Sequence, residues 1–294
     1  MTAVRIRSTP ATRPLSAVVG IEVTGVDLSD IDDATFNTVR EAWNRRSVLL
    51  FREQDLDHDD LIAFSRRFGD LDEAPVNENG KKFVEGYPHI YVVSNIKGND
   101  GLPIGSLGAG EAVWHTDMSY LPLPPDASML YAVEIPPAGG NTWFAGMIAA
   151  CAALPEDLRR AATGRSIKHD GTYNSGGYLR AGLSHSDDPV TSVGTPHPII
   201  CRHPPSGKET LYLGRRRNAY ITGLPLAESE ALLDALWAHA SRPEFCYSHQ
   251  WRVGDVVLWD NRTTLHRRDP FDENSRRLMY RTQIKGQSAP TPAL

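Results

Sequence analysis

Cysteine is scarce in this chain: Cys151, Cys201 and Cys246 stand far apart, odd in number, with no Cys-x-x-Cys pair to suggest a zinc knuckle or a redox dithiol. A reducing compartment, the cytoplasm, is the expected location. No window approaches about 18 consecutive apolar residues, so no helical membrane span and no membrane partner is expected. The stretch from Met1 to Pro14 holds Arg5, Arg7 and Arg13 but lacks the apolar segment of a secretory signal. Positive charge is not in excess: 31 Lys and Arg against 36 Asp and Glu give a net charge of -5, which argues against a nucleic-acid partner. Familiar catalytic signatures are missing as well. Ser206-Gly207-Lys208-Glu209 lacks the leading glycine and trailing hydroxyl of a P-loop and reads as a hairpin turn. Gly105 to Gly110 has the wrong order for a dinucleotide fingerprint, and no Gly-x-Ser-x-Gly elbow occurs.

What is present is a chain of ordinary globular composition, 40% hydrophobic over 294 residues, enough for a sizeable core. Val18 to Leu28 reads as a strand entering a turn, and Ser47 to Arg52 as a short apolar strand. Between them, Phe36, Val39, Ala42 and Trp43 recur at helical spacing over Asp33 to Arg45. Asp57 is placed to cap a second helix running through Gly69. From Ile90 onwards short β-prone runs alternate with turn clusters, as in Ile90 to Val93, Ser128 to Val133, Ile199 to Arg202, Leu211 to Leu213, Val256 to Trp259 and Leu278 to Ile284. That pattern favours a mainly β sandwich or barrel with flanking helices. Helices are expected over Met147 to Thr163 and Ala227 to Ala240. One domain spans residues 1–294, with helical and loop inserts at about 147–194 and 215–245. Arg215-Arg216-Arg217 reads as a solvated loop.

The chemistry concentrates in Trp114-His115-Thr116-Asp117 and in a distant His266. On an extended segment residues i and i+2 face the same way, so His115 and Asp117 would present an imidazole and a carboxylate side by side. Two histidines and one carboxylate on one face of a metal leave the other face open for a co-substrate and O2. On the last strand Arg277, Met279 and Arg281 share a face, with two guanidiniums about 13 Å apart at strand rise. Two inward arginines call for two anions.

Gly20-Ile21-Glu22-Val23-Thr24-Gly25-Val26-Asp27-Leu28, Arg67-Phe68-Gly69, Trp114-His115-Thr116-Asp117, Gly139-Gly140-Asn141-Thr142 and Trp259-Asp260-Asn261-Arg262 through His266 to Arg277 come in that order. The chain thereby resembles, over nearly its whole length, the Fe(II)- and 2-oxoglutarate-dependent dioxygenases of the taurine dioxygenase and 2,4-dichlorophenoxyacetate dioxygenase family. The resemblance implies a double-stranded β-helix, a jelly-roll barrel, with Fe(II) held by His115, Asp117 and His266, and with 2-oxoglutarate and O2 as co-substrates. It implies that Arg277 pairs with the distal carboxylate of 2-oxoglutarate, where a guanidinium fork fits better than a lysine. Thr142 matches a hydroxyl donor to the same molecule.

Arg281 matches the arginine that holds the substrate's anionic end, which implies a small anionic organic substrate. Ala74 stands where taurine-type enzymes carry a sulfonate-contacting histidine, and this tilts the expectation to a carboxylate. Asn95, Glu111, Tyr120 and Tyr173 are candidate substrate-side residues, each equally suited to a turn, a solvated surface or the core. Phe83 to Glu111 and His169 to Gly194 are candidate lids. The implied reaction hydroxylates a C–H bond while releasing succinate and CO2; next to a heteroatom the product would collapse with bond cleavage. A homo-oligomer, dimer or tetramer, is expected. The competing reading is a non-redox, cupin-like metal-binding protein or isomerase using the same three ligands.

Overall fold

The computed structural model describes residues 10–75, 83–110, 112–174 and 176–293, so Glu111 and Val76 lie outside the described residues. In chain order the elements begin with β1 Ala11–Pro14, β2 Ile21–Thr24, α1 Asp33–Arg46, β3 Val48–Phe51, α2 His58–Arg66, β4 Tyr91–Ser94, β5 Ser106–Leu107 and β6 Ala112–His115. They continue with β7 Ala127–Glu134, β8 Thr142–Gly146, α3 Met147–Ala152, α4 Glu156–Ala162, β9 Ser166–Asp170 and β10 Gly194–Pro198. The last are β11 Ile200–Arg202, β12 Glu209–Leu211, β13 Tyr220–Ile221, α5 Leu226–Ala240, β14 Cys246–His249, β15 Val256–Asp260, β16 Thr264–Arg268 and β17 Leu278–Ile284.

Two sheets carry the site. The larger has the order β1-β2-β3-β15-β7-β17-β4-β5, and the smaller β14-β8-β16-β6. Their facing sides meet where Phe144 of β8 packs against Trp259 of β15, with ring centroids 5.6 Å apart. Leu50, Leu130, Ala132, Val257 and Met279 complete this inner cluster. Alternation along β15 and β7 sends the other set of side chains, Met129, Tyr131, Val256 and Leu258, to the outer face beneath the helices. There Phe36 of α1, Phe64 of α2 and Phe51 of β3 make edge-to-face contacts at 5.5–6.5 Å, each worth about 0.5–1.5 kcal/mol beyond area burial.

The mainly β architecture with flanking helices is as the sequence predicts, but among the described residues no hydrogen-bonded ladder closes the two sheets into a barrel. The cap read at Asp57 also agrees: it caps α2 in a reciprocal box with Asp60, although the helix ends at Arg66, short of Gly69; Asp32, not read as a cap, caps α1. The single helix expected over Met147 to Thr163 is two short ones, because Pro155 lacks an amide hydrogen to continue α3 and instead opens α4. The insert after α4 holds a small sheet, β10-β9-β13, in which Gly194, Pro196 and Pro198 disguise the outer strand β10. Ser206-Gly207-Lys208 lies in the hairpin joining β11 to β12, as read from the sequence.

Candidate active site

The register of the small sheet builds the centre of the site. β6 and β16 run antiparallel with His115 opposite His266, and the two imidazole centroids are 4.1 Å apart. Strand β6 ends at His115, so Asp117 arrives through a turn rather than by continued pleating, with the Thr116 amide bonded to the Gly214 carbonyl. The result is the juxtaposition expected from the motif. Asp117 Oδ1 lies 3.7 Å from His115 Nε2 and 3.9 Å from His266 Nε2, and one donor atom from each residue falls within 4.8 Å of the others. A first-row metal bound at about 2.0–2.2 Å holds its donor pairs within about 4.4 Å of one another, so this spacing suits one ion after small adjustments.

The protonation states are those a metal requires. Nδ1 of His115 lies 2.7 Å from the Val113 carbonyl oxygen, which can only accept; the ring therefore donates there from Nδ1 and turns Nε2 toward Asp117. Burial, aided by His115, pushes His266 down to about 3, leaving a neutral imidazole. For Asp117 burial pushes upward, yet Arg281, His266 and His115 together outweigh it and hold the carboxyl well below its usual range. An ionised carboxylate beside the neutral imidazole of His266, with His115 Nε2 turned to both, is a set of metal donors.

Beyond the triad a cavity of about 60 Å³ runs between the sheets to Arg277, lined also by Thr142, Leu130 and Arg268. Arg277 is 2% exposed, and its Nε and Nη1 have no hydrogen-bond partner. Burial, with Arg268 nearby, pushes its guanidinium down to about 9. A buried cation without a counter-ion is costly, and the cost is recovered when an anion enters. Thr142 is held at the cavity wall by a bond from Trp251 Nε1 at 3.0 Å. The Gly139-Gly140 turn before it has positive φ at both residues, and a Cβ on Gly139 would meet the Pro270 carbonyl at 2.7 Å. The donor set at one end and the orphaned guanidinium at the other fit a metal bridged to a dianionic oxo acid.

On the opposite side of the triad opens a cleft of about 440 Å³ lined by Arg281, Tyr91, Tyr120, Tyr173, Arg180 and Arg215, among others. Arg281 faces inward as its register predicts, 3.4 Å from Asp117 Oδ1 and over the ring of Tyr91. Tyr120 and Tyr173 are cleft residues, although the Tyr173 hydroxyl turns toward His185 and Asp187. Asn95 is placed elsewhere than the sequence reading put it. Its amide donates to the carbonyls of Glu273 and Ser275 and its oxygen accepts from the Arg277 amide, so it braces the entry to β17 instead of facing substrate. Glu111 falls outside the described residues.

Arg215-Arg216-Arg217 is not a solvated loop: Arg215 is buried against Asp170, Arg216 pairs with Glu230 and Asp234, and Arg217 lies over the Tyr173 ring. The sequence reading also missed Arg268, although two residues beyond His266 on the same strand it had to face the same way. Ser128 and Asn261 were missed as site residues, since long-range pairing alone brings Ser128 to Asp117 and Asn261 to Ser128.

Fold and site together define a metal-dependent oxygenase of the two-histidine, one-carboxylate type. The family described as "Taurine catabolism dioxygenase TauD, TfdA family" matches residues 11–283. The chain is 35% identical to the (S)-phenoxypropionate/alpha-ketoglutarate-dioxygenase of Sphingobium herbicidovorans, over 96% of each chain. Among solved structures, a taurine dioxygenase from Burkholderia xenovorans superposes with a TM-score of 0.77 at 33% identity, covering 96% of this chain and 93% of that one. AAD-2 in complex with Mn(II) and N-oxalylglycine gives 0.76 at 29% identity, covering 96% and 99%. The chain belongs to the TauD/TfdA family and is an alpha-ketoglutarate-dependent dioxygenase, an enzyme of Fe(II), 2-oxoglutarate and O2. The non-redox alternative gives way to that membership. No helix among the described residues is long and apolar enough to cross a membrane.

Proposed function

We propose that this enzyme hydroxylates a small organic substrate bearing an anionic group, most simply a carboxylate, within a double-stranded β-helix formed as one catalytic domain. His115, Asp117 and His266 hold the metal; bound there, Fe(II) supplies O2-dependent decarboxylation of 2-oxoglutarate to succinate and CO2, coupled to insertion of oxygen into a C–H bond. The observation that carries the reading is Arg277, a buried guanidinium with two unpartnered nitrogens at the far end of the cavity from the triad.

Arg277 takes the distal carboxylate of 2-oxoglutarate in a two-point contact, and the Thr142 hydroxyl adds a donor beside it. Phe144 and Trp259 flank His266 and keep water from that side of the site. Arg281 faces the substrate from the metal side while holding Asp117 ionised. A carboxylate-bearing substrate agrees with the relative that acts on phenoxypropionate and with Ala74 at the position of the taurine-type histidine. Hydroxylation beside an ether oxygen would give a hemiacetal-type product that collapses with cleavage.

The test is a panel of small carboxylates, sulfonates and neutral esters, scored by succinate formation that needs Fe(II), 2-oxoglutarate and O2 together. Substrate-stimulated succinate with acids, lost in His115→Ala at unchanged fold, is expected. Stimulation by neutral esters but by no acid would sink the anionic reading.

A further inference from the structure

Of the arginines lining the substrate cleft, two are already engaged. Arg215 is held by Asp170 at 2.9 Å, and Arg281 by Asp117 at 3.4 Å. Arg180 is different. Its guanidinium carbon sits over the ring of Tyr120, 4.2 Å from the centroid; its Nε is buried without a hydrogen-bond partner, and among the described residues no carboxylate is within ion-pair distance. Tyr120 is three residues beyond Asp117, so this cation is seated close along the chain to the metal-binding turn.

The seat is built. The Arg180 amide donates to the Thr172 carbonyl at 2.9 Å, and an isolated bridge joins Tyr173 to Leu179, closing the loop into a narrow hairpin. Arg215 pins that hairpin by donating to the Asn174 carbonyl as well as to Asp170. On the other side the Tyr120 carbonyl accepts from Thr195 Oγ1 at 2.6 Å, which fixes the shelf on which the guanidinium rests. The contact with Tyr120 holds the guanidinium in place while its Nε remains unpartnered, so its N–H groups are available to an anion, which a guanidinium can take bidentately.

We infer that Arg180, seated over Tyr120, is the specificity-determining cation that takes the anionic group of the substrate. This rests on the reading of an anionic substrate and assigns the undivided charge to Arg180, since Arg281 shares its own with Asp117. The ligand class is a monocarboxylate or sulfate ester whose apolar body lies along Leu121 and Leu123 toward the metal.

The test uses the Fe(II)- and 2-oxoglutarate-loaded enzyme with phenoxyacetate, its methyl ester, hexanoate and hexyl sulfate, comparing wild type with Arg180→Gln and Arg180→Lys. KM and anaerobic calorimetric Kd are measured for each probe, with the Kd of 2-oxoglutarate as the readout for general damage. Expected is a rise of about ten- to hundredfold in KM and Kd for the acids in Arg180→Gln, partial recovery in Arg180→Lys, little change for the ester and no parallel loss of 2-oxoglutarate affinity. Acids bound by wild type and by Arg180→Gln within twofold of one another would overturn the role of Arg180 and leave the anionic reading standing. Wild type that prefers the ester, or holds none of the acids at millimolar concentration, would overturn both. A matching fall in 2-oxoglutarate affinity would make Arg180 a structural residue and also overturn the proposal.

Discussion

Ser128 Oγ donates to Asp117 Oδ2 at 2.7 Å, which leaves Oδ1 as the oxygen turned toward His115 and His266. The serine is itself held from behind. Asn261 Nδ2 donates to Ser128 Oγ at 3.0 Å, and Trp259 Nε1 donates to Asn261 Oδ1 at 2.9 Å. Strands β7 and β15 thus orient a carboxylate borne by the turn after β6. Outer partners of this kind typically govern metal affinity by about 10- to 100-fold. Ser128→Ala is therefore expected to weaken Co(II) or Fe(II) binding by that factor in a calorimetric titration while leaving thermal unfolding within a few degrees. Unchanged metal affinity would show that Asp117 needs no such support.

Arg277 couples binding to stability in opposite directions. Replacing it by Gln should raise the KM for 2-oxoglutarate by at least about tenfold, because a two-point charged contact is lost. Replacing it by Met should stabilise the protein free of metal and co-substrate, by about 1–3 kcal/mol, since a buried cation without a counter-ion is removed. The sign follows from its depressed value of about 9: the unfolded chain holds this proton more tightly, so the penalty is full below pH 9 and relieved only above it. Urea midpoints at pH 7 with and without 2-oxoglutarate distinguish the two effects. A Met variant that is less stable in both conditions would contradict this account.

The parts of the site that lie along one extended run were legible in the sequence, because period two suggests which residues look the same way. Arg281 on β17 and Arg277, immediately before its first residue, are the clearest case, and Arg276, paired on the surface with Glu134, marks the opposite face. His115 and Asp117 were legible as a motif, although a turn and not pleating brings them together. What escaped notice depends on long-range pairing. Arg180 reaches the cleft only because a hairpin between β9 and β10 folds onto Tyr120, and Arg215 is buried only because Asp170 lies 2.9 Å away. Nothing within a few residues of either encodes that. β10 was unread for a simpler reason: Gly194, Pro196 and Pro198 break the apolar alternation by which a strand is recognised.

Asn95 offers a test that separates positioning from substrate contact. Its side chain bonds to the backbone of residues 273–277, so Asn95→Ala should loosen the approach to Arg277. The expected outcome is a severalfold higher KM for 2-oxoglutarate with a KM for the primary substrate within twofold of wild type. The reverse pattern would return Asn95 to the substrate side.

His169 gives the protein an acid-sensitive core away from the triad. Its ring is 1% exposed, neither nitrogen has a partner, and it packs between His197 and Tyr212 at centroid distances of 5.3 Å. The fit is close enough that a Cβ on Gly214 would stand 1.8 Å from Nδ1, so no room exists for a hydrated imidazolium. Burial pushes His169 well below its usual range and pushes His197 down as well. Because the folded values lie below the unfolded value of about 6.5, the unfolded chain takes up these protons first. The neutral rings cost nothing above pH 6.5, and stability falls as the pH drops below it, by up to about 1.4 kcal/mol per pH unit for each histidine. Denaturation free energies at pH 7.5, 6.0 and 5.0 should show this slope, and His169→Asn, though less stable at pH 7.5, should show it reduced by about one proton. An equal slope in the variant would mean that His169 is protonated in the folded protein and that its cavity admits water.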